Sequence, residues 1–176
     1  LQIAEGDLAP RVLPIILGHQ VVGRIDAVGE GVTEWAPGDR AGLTWLAGSC
    51  GECAHCLAGR ENLCERATFT GWDRHGGFAE LVTARADVVV PLPDGPDDRD
   101  LAPLLCGGVI GYRALRVAGV EPGMRVGLYG FGASALQAIQ VAVHWGCRVA
   151  VATRSADEQQ RALSMGAEWA GGSDDP

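Results

Sequence analysis

The sequence predicts an α/β fold in two parts, a small antiparallel β unit followed by the first part of a doubly wound parallel sheet. Before residue 107, short β-rich segments alternate with turn signals, which is typical of a barrel-like antiparallel unit. After residue 107, helical and buried strand-like segments alternate, which indicates βαβ units. A chain of 176 residues is long enough for two small domains. We place them at residues 1–108 and 109–176.

The first part contains four segments with strand-like composition. Turn signals separate them, such as the Pro37-Gly38-Asp39 sequence between the first and second segments. The predicted strands lie within residues 20–29, 40–46, 76–82 and 87–93.

The second part alternates between helical and strand-like periodicity. Ser155 with Glu158 three residues later has the pattern of a capping box, which marks a helix start. The predicted order is a helix over 107–118, a strand over 125–129, a helix over 134–145, a strand over 147–153, a helix from Ser155 to Gly166, and a third strand that begins at Glu168.

Four cysteines with the spacing C-x2-C-x2-C-x7-C share one short loop. Four thiolates from such a segment can converge into the tetrahedral sulfur site of a structural zinc. The loop has few large apolar residues, so bound zinc, worth about 10–16 kcal/mol in small peptides, is expected to order it. Two disulfides and an iron–sulfur cluster are the alternatives, although the ferredoxin-like sequel C-x3-C-P is absent. The predicted ligands are Cys50, Cys53, Cys56 and Cys64.

The charge balance excludes several classes of partner. The 14 basic and 22 acidic residues give a net charge of −8, which argues against a nucleic-acid partner. The longest mostly apolar stretch, residues 101–112, is too short to span a bilayer, and no signal-peptide pattern opens the chain. We therefore expect a cytoplasmic protein without a membrane partner. The start at Leu1 and the end at Pro176 predict a piece of a longer protein.

A glycine-rich turn follows the strand over 125–129 and precedes a helix. It has the form G-x-G-x-x-A, in which the first glycine makes a tight turn and the second lets backbone amides approach a pyrophosphate. The positive end of the helix then faces an anion. A plain β-turn-α corner is the alternative interpretation. The predicted cofactor-binding turn is Gly130, Phe131, Gly132, Ala133, Ser134 and Ala135.

The end of the next strand carries residues that favour one nicotinamide cofactor. An NAD-binding protein usually places Asp or Glu there, against the ribose hydroxyls. This chain has Thr153, Arg154 and Ser155 instead, and a cation between two hydroxyls suits a 2′-phosphate. NADP(H) is therefore favoured over NAD(H), with Thr153 and Arg154 as cofactor-binding residues. The alternative is that Arg154 is a solvated surface charge.

Two further residues can bind metal, His19 and Cys106. Taken singly, each fits a core role, as a hydrogen-bonded histidine and a small buried thiol. Their order around the cysteine loop and the glycine turn resembles the zinc-dependent medium-chain alcohol dehydrogenase family, over essentially the whole chain. The matching segments are GH-x-VVG-x-I-x-AVG-x-GV (18–32), W-x-PGDR (35–40), the cysteine loop, GGFAE (76–80), PLLCGGVIGYRAL (103–115) and VGLYGFG (126–132).

The resemblance implies a GroES-like β-barrel catalytic domain followed by the first part of a Rossmann domain. It makes His19 and Cys106 two protein ligands of a catalytic zinc, while the loop cysteines hold the structural zinc. The implied activity is the interconversion of alcohols with aldehydes or ketones by hydride transfer with NAD(P)(H). The implied partner is a small-molecule alcohol or aldehyde, and a homo-oligomer is left open.

The chain also departs from the pattern of the family. The other cysteine ligand and the proton-relay hydroxyl would precede Leu1, so the chain alone is expected to be inactive. Gln20 stands where many members have Glu, which puts carboxylate ligation at this position in doubt. Trp45 matches a position that lines the substrate cleft, although a core role fits it equally well. The alternative functions are an aldehyde reductase of the same family and a zinc-binding module without catalysis.

Overall fold

The computed structural model describes residues 2–174, and the chain contains two compact units that divide between Leu105 and Cys106. Each unit builds its own sheets. Among the described residues, no helix combines the length and the apolar character needed to cross a membrane.

The first unit is built from short antiparallel strands. Its strands are β1 (Val21–Arg24), β2 (Arg40–Leu43), β3 (Leu46–Gly48), β4 (Thr68–Phe69) and β5 (Val90–Pro91). One sheet has the order β1-β2-β5, and β3 pairs with β4 in a second sheet. The helices of this unit are α1 (Gln2–Glu5), α2 (Ala54–Leu57) and α3 (Asp98–Leu101), with 3-10 turns at Glu61–Leu63, Ala86–Val88 and Ala102–Leu105.

The Arg40 side chain ties β2 to a remote loop. It donates hydrogen bonds to the carbonyl oxygens of Pro93 (2.6 Å) and Pro96 (2.7 Å), and it forms an ion pair with Asp98. These acceptors replace the water that a largely buried guanidinium loses. Arg40 therefore fixes the segment that leads into α3.

The strands of the first unit are shorter than the sequence predicts. The segment over 20–29 forms a strand only at Val21–Arg24, and the segment over 87–93 only at Val90–Pro91 because Ala86–Val88 makes a 3-10 turn. The strand predicted over 76–82 is wrong. Residues 76–78 instead donate three backbone hydrogen bonds to residues 16–18 in an irregular pairing. A Cβ at Gly76 would lie 2.0 Å from the Gly18 carbonyl oxygen. Gly76 therefore allows the two backbone segments to approach closely.

The second unit is a three-stranded parallel sheet, as the sequence predicts. Strands β6 (Arg125–Tyr129), β7 (Arg148–Ala152) and β8 (Trp169–Gly171) lie side by side in sequence order, with Val126 opposite Val149 and Val151 opposite Ala170. The predicted elements after residue 107 agree with the observed ones to within one or two residues at most ends. They are α4 (Gly107–Val117), β6 (Arg125–Tyr129), α5 (Ala133–His144), β7 (Arg148–Ala152), α6 (Ala156–Ser164) and β8 (Trp169–Gly171).

The core of the second unit lies between the sheet and α5. Ile139, Val149 and Val151 are fully buried there. Helices α4 and α5 approach closely at Gly111, where a Cβ would lie 2.5 Å from the Ser134 carbonyl oxygen. A glycine at this point is therefore a packing requirement of the helix pair.

Candidate functional site

The four loop cysteines converge in the first unit. Their sulfur atoms all lie within 4.8 Å of one another, with Sγ–Sγ distances of 3.5 Å between Cys53 and Cys56 and 3.8 Å between Cys50 and Cys56. A tetrahedral zinc with Zn–S bonds of about 2.3 Å requires sulfurs about 3.8 Å apart. All six cysteines are free, so the structure has no disulfide among them. The donor set and its spacing fit zinc.

Local backbone contacts hold these sulfurs together. Cys53 caps the start of α2, and its N–H donates to the Cys50 sulfur at 3.4 Å, while the Cys50 N–H points to the Cys64 sulfur at 3.5 Å. The backbone N–H of Glu52, and next that of Cys53, lower the pKa of the Cys50 thiol to about 6. Because the thiolate is the form that binds metal, this backbone favours the ligating state.

A small apolar cluster supports the cysteine loop. Cys56, Cys64 and Ala67 are buried, and Leu46 and Phe69 pack against them. Buried apolar side chains therefore line one side of the candidate zinc site, while Cys50 and Cys53 stay partly exposed.

His55 lies in the same loop, at a position where the sequence suggests a solvent-facing side chain. It is instead half-buried, and its Nδ1 atom is buried without a hydrogen-bond partner among residues 2–174. His55 lies in α2, between Cys53 and Cys56.

His19 lines a cavity of about 350 Å³ in the first unit. Its ring meets the ring of Trp45 edge-on, with centroids 5.1 Å apart at 71°. Burial lowers the pKa of His19, which favours the neutral imidazole that binds metal. Trp45 is half-buried and lines the same cavity, so it belongs both to the wall of the cavity and to the packing behind it. The other lining residues are Gln2, Ile3, Leu8, Leu17, Gly18, Gln20, Thr70, Gly71 and Phe78.

Trp45 is the inner member of an aromatic stack that we define as Trp45, Phe69 and Trp72. Trp45 lies nearly parallel to Phe69, with ring centroids 4.9 Å apart, and to Trp72, with centroids 6.0 Å apart. The Arg11 guanidinium lies 4.0 Å from the centre of the Trp72 ring. Phe69, Trp72 and Arg11 are not predicted by the sequence, because Trp45, just before β3, meets the rings of β4 and of the turn after it only once β3 and β4 pair.

Cys106 belongs to the second unit, where it precedes α4. Its carbonyl oxygen accepts a hydrogen bond from the Ile110 N–H at 3.0 Å, and its half-buried side chain makes no capping hydrogen bond. The thiol is therefore not used by the helix start.

The glycine turn connects β6 to α5. Gly130 has φ = 83°, a left-handed conformation that favours glycine, and its N–H donates to the Ala152 carbonyl at 2.8 Å. Phe131 is buried at 2% exposure and anchors the turn. Gly132 is the N-cap of α5, so the first N–H groups of that helix, at Ala133, Ser134 and Ala135, have no intrahelical acceptor. Unpaired N–H groups and the positive end of a helix dipole can receive an anion, so this helix start is a candidate anion site.

A cavity of about 600 Å³ opens beside this turn, and the end of β7 lines it. The buried Thr153 hydroxyl donates to the Glu158 carboxylate at 2.5 Å, so the hydroxyl predicted to bind a phosphate already has a partner. The Ser155 oxygen accepts from the Glu158 N–H at 3.4 Å, which confirms the predicted helix cap and leaves its hydroxyl hydrogen able to donate. Arg154 is exposed in the same cavity and forms no ion pair within residues 2–174.

Comparison with known proteins places these features in a family. Residues 1–94 match the family model of the alcohol dehydrogenase GroES-like domain. A Mycobacterium tuberculosis protein with the name "Probable alcohol dehydrogenase AdhA" is 46% identical over 172 residues, which are 95% of this chain and 50% of that protein. The chain thus spans about half the length of the curated relatives it matches.

Two solved structures share the whole described fold. A cinnamyl alcohol dehydrogenase from Sorghum bicolor has a TM-score of 0.90 and 31% identity, over 99% of this chain and 52% of that one. The CAD of Helicobacter pylori complexed with NADP(H) has a TM-score of 0.88 and 30% identity, over 97% of this chain and 52% of that one. These matches confirm the α/β fold class, with a GroES-like unit followed by a Rossmann-type parallel sheet.

The GroES-like match covers more than half of the chain, and the structural matches extend through the parallel sheet. The chain therefore belongs to the zinc-dependent medium-chain alcohol dehydrogenase family.

Proposed function

We propose that the protein carrying this chain is a zinc-dependent oxidoreductase that interconverts alcohols with aldehydes or ketones and prefers NADP(H). The observation that carries the proposal is the pairing, in one chain, of a four-thiol metal site with a glycine turn that opens into a cavity at the end of a parallel sheet. Residues 1–108 would form the catalytic domain and 109–176 the dinucleotide-binding domain. The six free cysteines support a reducing, cytoplasmic location.

The structural zinc would be held by Cys50, Cys53, Cys56 and Cys64. Support comes from the sulfur spacing and from the backbone N–H groups that stabilise the Cys50 thiolate. The role of this metal would be to order a loop that has little apolar surface of its own.

The catalytic metal would take His19 and Cys106 as ligands, as the family resemblance implies. His19 suits the role because its burial favours the neutral ring, and Trp45 restricts the ring on one side. Cys106 suits it because its thiol is free of capping contacts. When bound, zinc supplies Lewis-acid catalysis and the nicotinamide supplies hydride chemistry. The apolar lining residues Leu8, Leu17 and Phe78 would bind the hydrocarbon part of a small alcohol or aldehyde.

The cofactor would bind in the cavity beside the glycine turn. The amides of Ala133 and its neighbours would receive the pyrophosphate at the start of α5. Arg154 and the Ser155 hydroxyl would receive the 2′-phosphate of NADP(H), since Thr153 donates its hydrogen to Glu158. Thr153 would contribute by holding Glu158 and the end of β7 in place.

Binding of NADPH and zinc to the purified chain tests this proposal. We expect one tightly held zinc per chain. Binding of NADPH should change the fluorescence of the cofactor, and Arg154→Ala should weaken that binding. A chain that binds zinc but not NADPH would support the alternative of a zinc-binding module without catalysis.

Activity is tested in the protein that carries this chain, in both directions, with NADPH plus an aldehyde and NADP⁺ plus the matching alcohol. His19→Ala should abolish turnover while NADPH binding persists, because His19 and the glycine turn lie on different units. Turnover that survives His19→Ala would contradict the proposed metal ligand. A rate measurable only toward aldehydes would favour the aldehyde reductase alternative.

A further inference from the structure

The aromatic stack lies between the cysteine loop and the His19 cavity. Phe69 packs against the buried cluster that contains Cys56 and Cys64. The neighbouring ring in the stack, Trp45, lines the cavity and meets His19 edge-on. One phenyl ring therefore packs against the buried cluster behind the candidate zinc site on one side and against Trp45, in the wall of the candidate substrate cavity, on the other.

The backbone makes this connection short. Phe69 lies opposite Leu46 in the pairing of β3 with β4, and the Thr70 N–H donates to the Trp45 carbonyl at 2.9 Å. Trp45, just before β3, and Phe69, the last residue of β4, thus lie at the same end of the paired segment, with their rings 4.9 Å apart at 18°. A shift of the strand that carries Phe69 also shifts the hydrogen-bond partner of Trp45.

Hydrogen bonds hold the outer end of the stack in place. Asp73 accepts from the Phe69 N–H at 2.8 Å and from the Arg11 guanidinium at 3.1 Å. Trp72 donates from its indole N–H to the Ala9 carbonyl at 2.9 Å. Because its outer face is held in this way, the stack cannot move outward when the cysteine loop on its inner side changes position.

We propose that Phe69 is a positioning residue through which the zinc-loaded cysteine loop fixes Trp45 beside His19. The inference rests on the proposed zinc occupancy of the loop. A packed interior responds to a displacement by moving its neighbours, and here the neighbours of Phe69 are the ligand loop and Trp45. The shape of the cavity wall then depends on metal bound at a separate site in the same unit.

Because Phe69 packs against both the cysteine-loop cluster and Trp45, loosening the stack at Trp45 should also loosen the zinc-loaded loop and speed the release of its metal. The test is the rate at which zinc passes from the folded chain to a coloured chelator, in a double-mutant cycle of Trp45→Leu and Phe69→Leu. Leucine keeps the position apolar and removes the stacking, and the cycle subtracts the separate cost of each smaller side chain. We expect Trp45→Leu to speed zinc release about two- to tenfold in the wild-type background, the range for loss of one aromatic pair. It should have no further effect when Phe69 is already leucine.

A second measurement reads the coupling from the other side. In chains labelled with 5-fluorotryptophan, zinc removal should shift the fluorine resonances of Trp45 and Trp72. Trp35 is the control: its indole N–H donates to the Ala86 carbonyl in the same unit, and its resonance should not move. In Phe69→Leu the Trp45 resonance should no longer respond to zinc. Conservative Phe69→Tyr, which retains an aromatic ring, should restore the response.

The outcomes separate the two proposals. A wild-type chain that retains no zinc contradicts the proposed metal site and this inference with it. A chain that retains one zinc, but releases it at the same rate with or without Trp45, overturns only the role of Phe69. That role is also overturned if Trp45→Leu speeds zinc release equally in the wild-type and Phe69→Leu chains, or if the Trp45 resonance does not change when zinc is removed.

Discussion

The Thr153 hydroxyl donates a 2.5 Å hydrogen bond to the Glu158 carboxylate, and both residues line the cavity beside the glycine turn. The carboxylate is thereby held at the end of β7, next to the exposed cation of Arg154. A phosphate that enters this cavity meets one attractive and one repulsive charge. Discrimination between NADP(H) and NAD(H) is expected to depend on the balance between these two side chains.

Removal of the cation should reduce the preference for NADP(H). A charge-assisted hydrogen bond is worth about 1.5–3 kcal/mol, so Arg154→Ala should weaken NADPH binding roughly 10- to 150-fold and leave NADH binding nearly unchanged. Fluorescence titration of both cofactors into the variant measures the ratio. Arg161→Ala, which removes a cation from the last turn of α6, is the control. An unchanged ratio would show that Arg154 is a solvated surface charge.

Removal of the carboxylate should have the opposite effect. Glu158→Gln keeps a hydrogen-bond acceptor for Thr153 but deletes one negative charge from the cavity. A unit charge at about 8 Å, in an effective dielectric between 20 and 80, contributes about 0.5–2 kcal/mol. NADPH should therefore bind roughly 2- to 30-fold more tightly, and this gain should shrink at high salt. Tighter binding of NADH by the same factor would mean that the charge does not act on the 2′-phosphate.

Loss of two central thiols should remove the structural zinc. The chain with both Cys53→Ser and Cys56→Ser is expected to hold less than one zinc after dialysis and to unfold at a lower temperature, because the loop loses the bonds that order it. Metal analysis with thermal unfolding measures both effects. Cys147→Ser is a matched control, since Cys147 is buried in the other unit and its sulfur donates to the Glu121 carbonyl. Full zinc occupancy in the double variant would disprove the ligand assignment.

The close approach of α4 and α5 should make Gly111 intolerant of a methyl group. A Cβ would lie 2.5 Å from the Ser134 carbonyl oxygen and 3.1 Å from the Ala138 nitrogen, so the helices must separate. Gly111→Ala is expected to destabilise the chain by about 1–3 kcal/mol, the usual cost of overpacking, despite the better helix propensity of alanine. Urea unfolding measures this cost. Gly127→Ala, where the nearest atom would be 3.9 Å away, should cost less, and an equal cost would argue against steric crowding.

The second unit could be predicted from the sequence nearly residue by residue because its signals are local. Helical periodicity fixes α5, buried apolar runs fix β6 and β7, and the Ser155 cap fixes the start of α6. In the first unit the strands have two to four residues, and their pairing partners are far apart in sequence. A segment such as 76–82 then carries strand-like composition but forms an irregular pairing instead.

The candidate site likewise has features that the sequence predicts and features that it does not. The four thiols were predictable because their spacing within one loop is itself the geometric signal. The partner of Thr153 was not, because Ser155 and Glu158 fit a capping box in which the carboxylate turns back to the helix start. The Glu158 side chain instead turns to the Thr153 hydroxyl, a choice that depends on how β7 and α6 meet.

All four sulfurs of the cysteine site come from fifteen consecutive residues, Cys50 to Cys64. By contrast, β2 pairs with β5, which begins only at Val90. Closing so short a loop costs little chain entropy, and each doubling of a loop adds only about 0.6 kcal/mol more. All four candidate ligands are therefore present in the chain before β2 can pair with β5. If the loop holds zinc as proposed, it would be able to take up the metal during synthesis once Cys64 has emerged, before the residues of β5 exist to complete the first sheet.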